Sequence, residues 1–176
     1  MIFKSSEFCP KTHFLIVDVL REAGLPNGVV NLISNAPEDG PRIVEALVTH
    51  PVVKRINFTG STRVGKIIAS LAARDLKPVL LELGGKSPLL VLDDADLDQA
   101  VSAAAFGAFM NQGQICMSTE RVIVDDKIAE EFVGKFAAKA QSLIAGEPTR
   151  QGVMLGAVVS QATVARLNDL LEGRHV

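Results

Sequence analysis

Arg55-Ile56-Asn57-Phe58-Thr59-Gly60-Ser61-Thr62-Arg63-Val64-Gly65 decides the fold. An apolar run over Arg55–Thr59 reads as a strand, and a helical pattern begins at once over Ser61–Ala73, with Val64, Ile67, Ile68 and Leu71 expected on one face. A strand that turns through glycine into a helix is the unit of parallel βαβ architecture. The same turn suits a phosphate, because unpaired N–H groups and the helix dipole favour an anion there. Gly60 lets the backbone come close, the Ser61 hydroxyl can donate, and Gly65 lets the helix lie near a strand or a ligand. The stretch is not the G-x-G-x-x-G fingerprint, so ordinary capping by Ser61 and tight packing stay open as its explanation.

Upstream, short apolar runs alternate with helical patterns. A strand is expected over Met1–Lys4, a helix over Thr12–Ala23 capped by Thr12 and closed by Gly24, and a strand over Val29–Ile33. Pro41 then opens a helix that runs to Thr49. Downstream of Lys77-Pro78, two apolar runs, Val79–Leu83 and Leu89–Leu92, flank Gly84-Gly85. Asp93, Asp94 and Asp96 crowd the start of a helix of small residues that ends near Asn111. A strand at Arg121–Val124, a long helix over Lys127–Ala145 with Ile128, Phe132, Phe136 and Leu143 inward, and a last helix over Ser160–Glu172 complete the pattern. The expected class is α/β: a partial doubly wound parallel sheet on residues 1–81, then the first part of an α/β catalytic domain on 82–176.

The chain has 176 residues, 48% apolar and 22% charged, which is globular composition, and its formal net charge of −2 gives no reason to expect nucleic acid or an anionic membrane. No apolar run reaches the roughly 18 residues of a membrane span, and the N-terminus does not read as a signal peptide. Two cysteines in such a chain point to a reduced, cytoplasmic protein. No metal is expected.

Two residues stand out chemically. Cys116 follows Asn111-Gln112-Gly113-Gln114-Ile115 on a polar, glycine-bearing loop rather than a packing stripe, whereas Cys9, before Pro10, reads as structural. Glu82 interrupts the apolar run Val79-Leu80-Leu81…Leu83, where a buried acid would be costly unless paired or functional. Burial there would raise its pKa toward that of a base working near neutral pH. The alternative is a structural acid bonded to the Gly84-Gly85 backbone or to Lys86. A thiol and a carboxylate base suit acyl chemistry on a carbonyl: the thiolate attacks, and the carboxylate later activates water.

Leu81-Glu82-Leu83-Gly84-Gly85-Lys86-Ser87, Gly113-Gln114-Ile115-Cys116 and the Gly60–Gly65 turn, in this order, resemble the NAD(P)-dependent aldehyde dehydrogenase family over essentially residues 1–172. The resemblance implies that Cys116 attacks an aldehyde, that hydride passes from the thiohemiacetal to nicotinamide, and that Glu82 activates the hydrolytic water. It makes the Cys116 N–H an oxyanion donor and turns Leu83 toward the nicotinamide. Lys4-Ser5-Ser6-Glu7 matches the family's K-P-[SA]-E segment with Ser5 in place of proline, so Lys4 and Glu7 would bond the adenosine ribose; a carboxylate there favours NAD over NADP. Without the resemblance, Lys4 and Glu7 read as a solvated surface pair. Gly40, Val64 and Ile68 would line the adenine pocket, with Gly60, Ser61 and Gly65 at the pyrophosphate. Phe109, Met110, Ile115 and Met117 hint at an apolar substrate pocket. The family's upstream oxyanion asparagine, its downstream E-x-F-G-P glutamate and its C-terminal oligomerisation arm have no counterpart here, so a truncated, weakly active member is expected. A non-catalytic remnant or interaction module of the same fold, and a cofactor-independent thiol esterase, are the alternatives.

Overall fold

The computed structural model describes residues 1–173, and the chain falls into two compact units that divide after Leu81. The first begins with β1 (Ile2–Lys4), α1 (Pro10–Glu22) and β2 (Asn31–Ile33). β1 and β2 pair in parallel, Ile2 with Asn31, Phe3 with Leu32 and Lys4 with Ile33. α1 starts at Pro10 rather than at Thr12, because proline needs no N–H partner in the first turn; Cys9 takes the cap position without a side-chain bond. The helix closes at Gly24 as expected, with φ near +90° and the Leu25 N–H returned to the Leu20 carbonyl.

A short 3-10 turn (Pro37–Asp39) leads into α2 (Gly40–Thr49), followed by β3 (Ile56–Gly60), α3 (Thr62–Ala73) and β4 (Val79–Leu83). β3 and β4 are hydrogen-bonded neighbours. Val48 of α2 with Ile68 and Ala72 of α3 form this unit's core, and Val44, Ile56, Phe58, Val64, Leu71 and Val79 pack against it. The inward face of α3 is therefore Val64, Ile68, Leu71 and Ala72, while Ile67 is half exposed. The buried Lys77 ammonium donates to the carbonyls of Val48 (2.6 Å) and His50 (2.8 Å), closing the C-terminal end of α2.

The second unit carries β5 (Ser87–Val91), α4 (Leu97–Phe109), a turn (Met110–Gly113), β6 (Thr119–Val124), α5 (Ala129–Gln141) and α6 (Gln161–Leu171). β5 and β6 are parallel, from Ser87 opposite Thr119 to Val91 opposite Val124, with a register irregularity at Ser87/Pro88. That irregularity lets β5 begin two residues earlier than its apolar run, since proline is tolerated in a strand at a bulge. Val91, Val101, Ala104 and Phe132 form the core. Asp96 caps α4, accepting from the Asp98 (3.0 Å) and Gln99 (3.1 Å) N–H groups, and this holds its carboxyl below the usual range. α5 is shorter than its apolar period predicts: Ser142 bonds back to the Lys139 carbonyl at 2.7 Å, and Leu143 lies beyond the helix. The strands pair two by two rather than in one broad sheet, but the α/β class and the parallel pairings stand. No helix among the described residues is long and apolar enough to cross a membrane.

Candidate active site

Parallel pairing of β1 with β2 brings out at one end the residues that follow each strand. Glu7 comes from one side, Asn35 and Gly40 from the other. Lys4 Nζ donates to Glu7 Oε1 at 2.6 Å and to the Ser5 carbonyl at 2.9 Å, and Asn35 Nδ2 donates to the same Glu7 oxygen at 2.9 Å. Lys4 and Glu7 are each only 20% exposed, so they are not the solvated surface pair that composition alone allows. The Lys4 hydrogen bond, helped by Glu7's own backbone N–H and by Asn35, outweighs burial and holds the Glu7 carboxyl down at about 2. Gly40 adjoins them: a Cβ there would stand 3.4 Å from Glu7 Oε1. Ser5, at the position where the family motif has proline, is buried with its hydroxyl unpartnered.

At the second turn, Ser61 Oγ accepts from the Val64 N–H at 3.3 Å, so Ser61 does cap α3, and its own O–H remains a donor. A Cβ at Gly60 would lie 2.5 Å from Cζ of Phe58, so a larger residue there would have to displace that ring. Gly65 is buried in the first turns of α3. Val64 is partly buried against the core, and Ile68 is 2% exposed within it. Ile68 as a lining of an adenine pocket is thereby corrected: Val48 and Ala72 occupy its surface, and it keeps none for a ligand.

In the second unit the register of β5 with β6 sets the geometry. Ser87 opposes Thr119, so the Gly84-Gly85 turn and the Cys116 turn enter the paired strands at the same end. The Ile115–Ser118 turn is closed by the Ser118 N–H on the Ile115 carbonyl (3.0 Å) and by Ser118 Oγ, which accepts from the Ile115 N–H (3.3 Å). Cys116 sits inside this turn, exposed, and its N–H makes no hydrogen bond among the described residues. Asn111 and Gln112 precede it in left-handed conformation, φ +51° and +57°. Non-glycine residues so placed store strain and concentrate at functional sites. Gln114 braces the loop: its Nε2 reaches the Asn111 carbonyl (3.3 Å) and its Oε1 accepts from the Val159 N–H (3.0 Å).

Glu82 is exposed, which corrects its expected burial. β4 alternates, with Leu81 and Leu83 partly buried and Leu80 and Glu82 outward. Water reaches this carboxylate, so the burial that would have made an acid costly here does not arise. The structural alternative fails as well, because Lys86 pairs with Glu120 and no partner holds the Glu82 carboxylate among the described residues. Leu83 ends β4 half-buried. Of the residues read as a substrate pocket, Phe109 stacks on Phe136 at 5.8 Å while Met110 and Met117 are exposed.

Sequence reading missed Asn35, Ser118 and Thr119, and did not foresee the neighbour of Cys9. That thiol is exposed and lies 3.9 Å from His13 Nε2, while His13 Nδ1 accepts from the Ser6 N–H at 2.8 Å. The Cys-Pro start of a helix followed by histidine four positions on was the available signal. A dinucleotide would bring hydroxyl donors and a pyrophosphate. Asn35 Oδ1 is buried without a donor, no side chain among the described residues donates to Glu7 Oε2, and the Ser61 O–H is free. These residues fit such a group.

The sequence profile of the aldehyde dehydrogenase family matches residues 1–175. The chain is 58% identical over 172 residues to a vanillin dehydrogenase of Pseudomonas fluorescens, covering 98% of this chain and 36% of that one. The solved structure of a salicylaldehyde dehydrogenase from Pseudomonas putida G7, complexed with salicylaldehyde, superposes with a TM-score of 0.93 at 54% identity, over 97% of this chain and 36% of that one. An NAD-dependent benzaldehyde dehydrogenase from Corynebacterium glutamicum gives 0.88 at 41%, again over 97% and 36%. The chain thus spans about 36% of the length of these relatives, and similar solved enzymes include both NAD- and NADP-dependent ones. With the Gly84-Gly85 turn and the thiol turn at one end of a parallel strand pair and a profile match along nearly its whole length, the chain belongs to the aldehyde dehydrogenase family.

Proposed function

We propose that this chain carries the nucleophile, the hydrolytic base and the adenosine-ribose contacts of an NAD-dependent oxidation of an aromatic aldehyde to its carboxylic acid. The division follows the two units: residues 1–81 form part of the dinucleotide-binding side, and residues from 82 onward part of the catalytic side. The observation that carries the reading is the Ser87–Thr119 register, which places the Gly84-Gly85 and Cys116 turns at one end of the β5–β6 pair. The names of the relatives, which act on vanillin, salicylaldehyde and benzaldehyde, support the aromatic class. Lys4, Glu7, Gly40, Gly60, Ser61, Val64, Gly65 and Leu83 remain the proposed cofactor residues.

Cys116 Sγ adds to the carbonyl carbon, and the oxygen that becomes negative accepts from the free Cys116 N–H. When bound, the nicotinamide dinucleotide supplies the two-electron acceptor for the carbon-bound hydrogen. The Glu82 carboxylate, exposed and unpartnered among the described residues, takes a proton from water as that water attacks the acyl carbon. The C–S bond then breaks and releases the carboxylic acid, and the proton held by Glu82 passes to the leaving sulfur, which restores the thiol and the carboxylate.

An acyl-transfer probe isolates these roles from the cofactor. With 4-nitrophenyl acetate, mass spectrometry should find the acetyl group on Cys116 and no stable acylation in Cys116→Ala. Glu82→Gln should acylate normally and deacylate about a hundredfold more slowly. Equal acylation of Cys9 and Cys116, with deacylation unchanged in Glu82→Gln, would refute the assignment. Formation of NADH from benzaldehyde, lost in Cys116→Ala, tests the oxidation itself.

A further inference from the structure

The side-chain donors that hold the Glu7 carboxylate meet at one oxygen. Lys4 Nζ and Asn35 Nδ2 both donate to Oε1, at 2.6 and 2.9 Å, and no side chain among the described residues donates to Oε2. Asn35 Nδ2 gives its other hydrogen to the Ala36 carbonyl at 2.7 Å, so both amide hydrogens are used. Turning the amide over would set its oxygen against an acceptor-only carboxylate and carbonyl, so this orientation is fixed by its neighbours. Asn35 Oδ1 is then left buried with no donor. A buried acceptor without a donor is uncommon and calls for an explanation such as a ligand or ordered water. Gly40 bounds the same place, where a Cβ would come within 3.4 Å of Glu7 Oε1 and 3.7 Å of Asn35 Nδ2.

We propose that Asn35 is a positioning residue for Glu7 and, through Oδ1, a second hydrogen-bond acceptor for the ligand, so that Asn35 and Glu7 together select a ribose with free vicinal hydroxyls over one bearing a 2′-phosphate. The inference rests on the dinucleotide reading of the proposed function and extends it to a residue outside the Lys4–Glu7, Gly60–Gly65, Leu81–Ser87 and Gly113–Cys116 motifs. Two hydroxyls each bring a donor to a pair of acceptors. A phosphate ester brings only acceptors and negative charge, and Lys4, the one cation at the carboxylate among the described residues, is already engaged by Glu7. Glu7 therefore repels the wrong cofactor, and Asn35 keeps it aimed.

Two measurements on the 176-residue chain separate this inference from its premise. The first needs no cofactor: the Glu7 side-chain carboxyl is followed by carbon-13 NMR against pH. In the parent chain it should titrate near 2, and in Asn35→Ala its midpoint should move toward 4.5. The second is calorimetric titration with NAD and with NADP. Asn35→Ala should lose about tenfold in NAD affinity and most of the preference over NADP, and Asn35→Asp should lose more, because it sets a like charge beside Glu7. Asn35→Ala should cost little once Glu7→Gln is in place. Circular dichroism checks that each variant folds. An unmoved Glu7 midpoint, or an unchanged ratio of NAD to NADP affinity in Asn35→Ala, overturns the inference and leaves the dinucleotide reading standing. A folded parent chain that binds neither nucleotide overturns both.

Discussion

Glu7 stays ionised in the folded chain far below the pH at which an unfolded glutamate takes up its proton: about 2 against 4.5. The stabilisation linked to that difference is fully present above pH 4.5. It is lost as pH falls from 4.5 through about 2, because over that range the unfolded chain binds a proton that the folded one refuses. With one fifth of the side chain still in water, the effect is at most about 3 kcal/mol. Urea unfolding of Glu7→Gln should therefore depend less on pH between 4.5 and 2.5 than that of the parent; parallel acid limbs would show that the ion pair adds nothing. Residues at this scale were unevenly legible in the sequence. Motif positions such as Cys116 and Glu82 could be picked out because their chemistry clashes with their neighbours in the chain. Asn35 could not, because its partner lies 28 positions away and nothing local marks the pair. Glu82 shows the converse failure: an apolar run reads as a buried strand, yet β4 alternates and turns the acid outward.

Two close approaches govern the elements. α4 lies so near β6 that a Cβ on Gly107 would overlap Thr119 Oγ1 and stand 3.2 Å from its Cβ. Alanine in a helix interior normally gains about 0.5–1 kcal/mol over glycine, but an overpacked contact costs about 1–3 kcal/mol, so the clash wins. Gly107→Ala should lower the urea midpoint, and adding Thr119→Ala should recover most of the loss; a stabilised single variant would contradict this packing. Thr119 begins β6 just after the Cys116 turn, so the same variant should also slow thiol acylation. The second approach is Lys77, whose ammonium satisfies the Val48 and His50 carbonyls at the end of α2. Lys77→Met leaves those carbonyls without their donor and should cost about 1–3 kcal/mol; an unchanged midpoint would mean that water replaces the lysine without loss. The bounds of β4 and the capped start of α3 follow from sequence because their causes are local: an apolar run between turns, and serine before a helix. The early start of α1, the early stop of α5 and the outward turn of Ile67 depend on Pro10, on Ser142 and on what packs beside α3. Periodicity does not encode these.

For the molecule as a whole, the decisive quantity is the apolar surface left in water. α1 buries no residue, and Phe14, Leu15, Ile16 and Val19 are 47% to 62% exposed. α6 likewise buries none, with Leu170 and Leu171 exposed. Single exposed apolar residues are ordinary, but a helix that shows several on successive turns presents a contiguous patch, and such patches associate. A formal net charge of −2 over 176 residues supplies little repulsion against this. The chain should therefore bind anilinonaphthalene sulfonate strongly and sediment as a concentration-dependent mixture. Leu15 and Val19 stand one turn apart on α1, so Leu15→Glu with Val19→Glu puts two charges on the patch without touching either core cluster. The double variant should keep its helical circular dichroism, bind less dye and shift toward monomer. Dye binding and sedimentation unchanged from the parent would show that α1 is not the adhesive surface, and would move attention to α6.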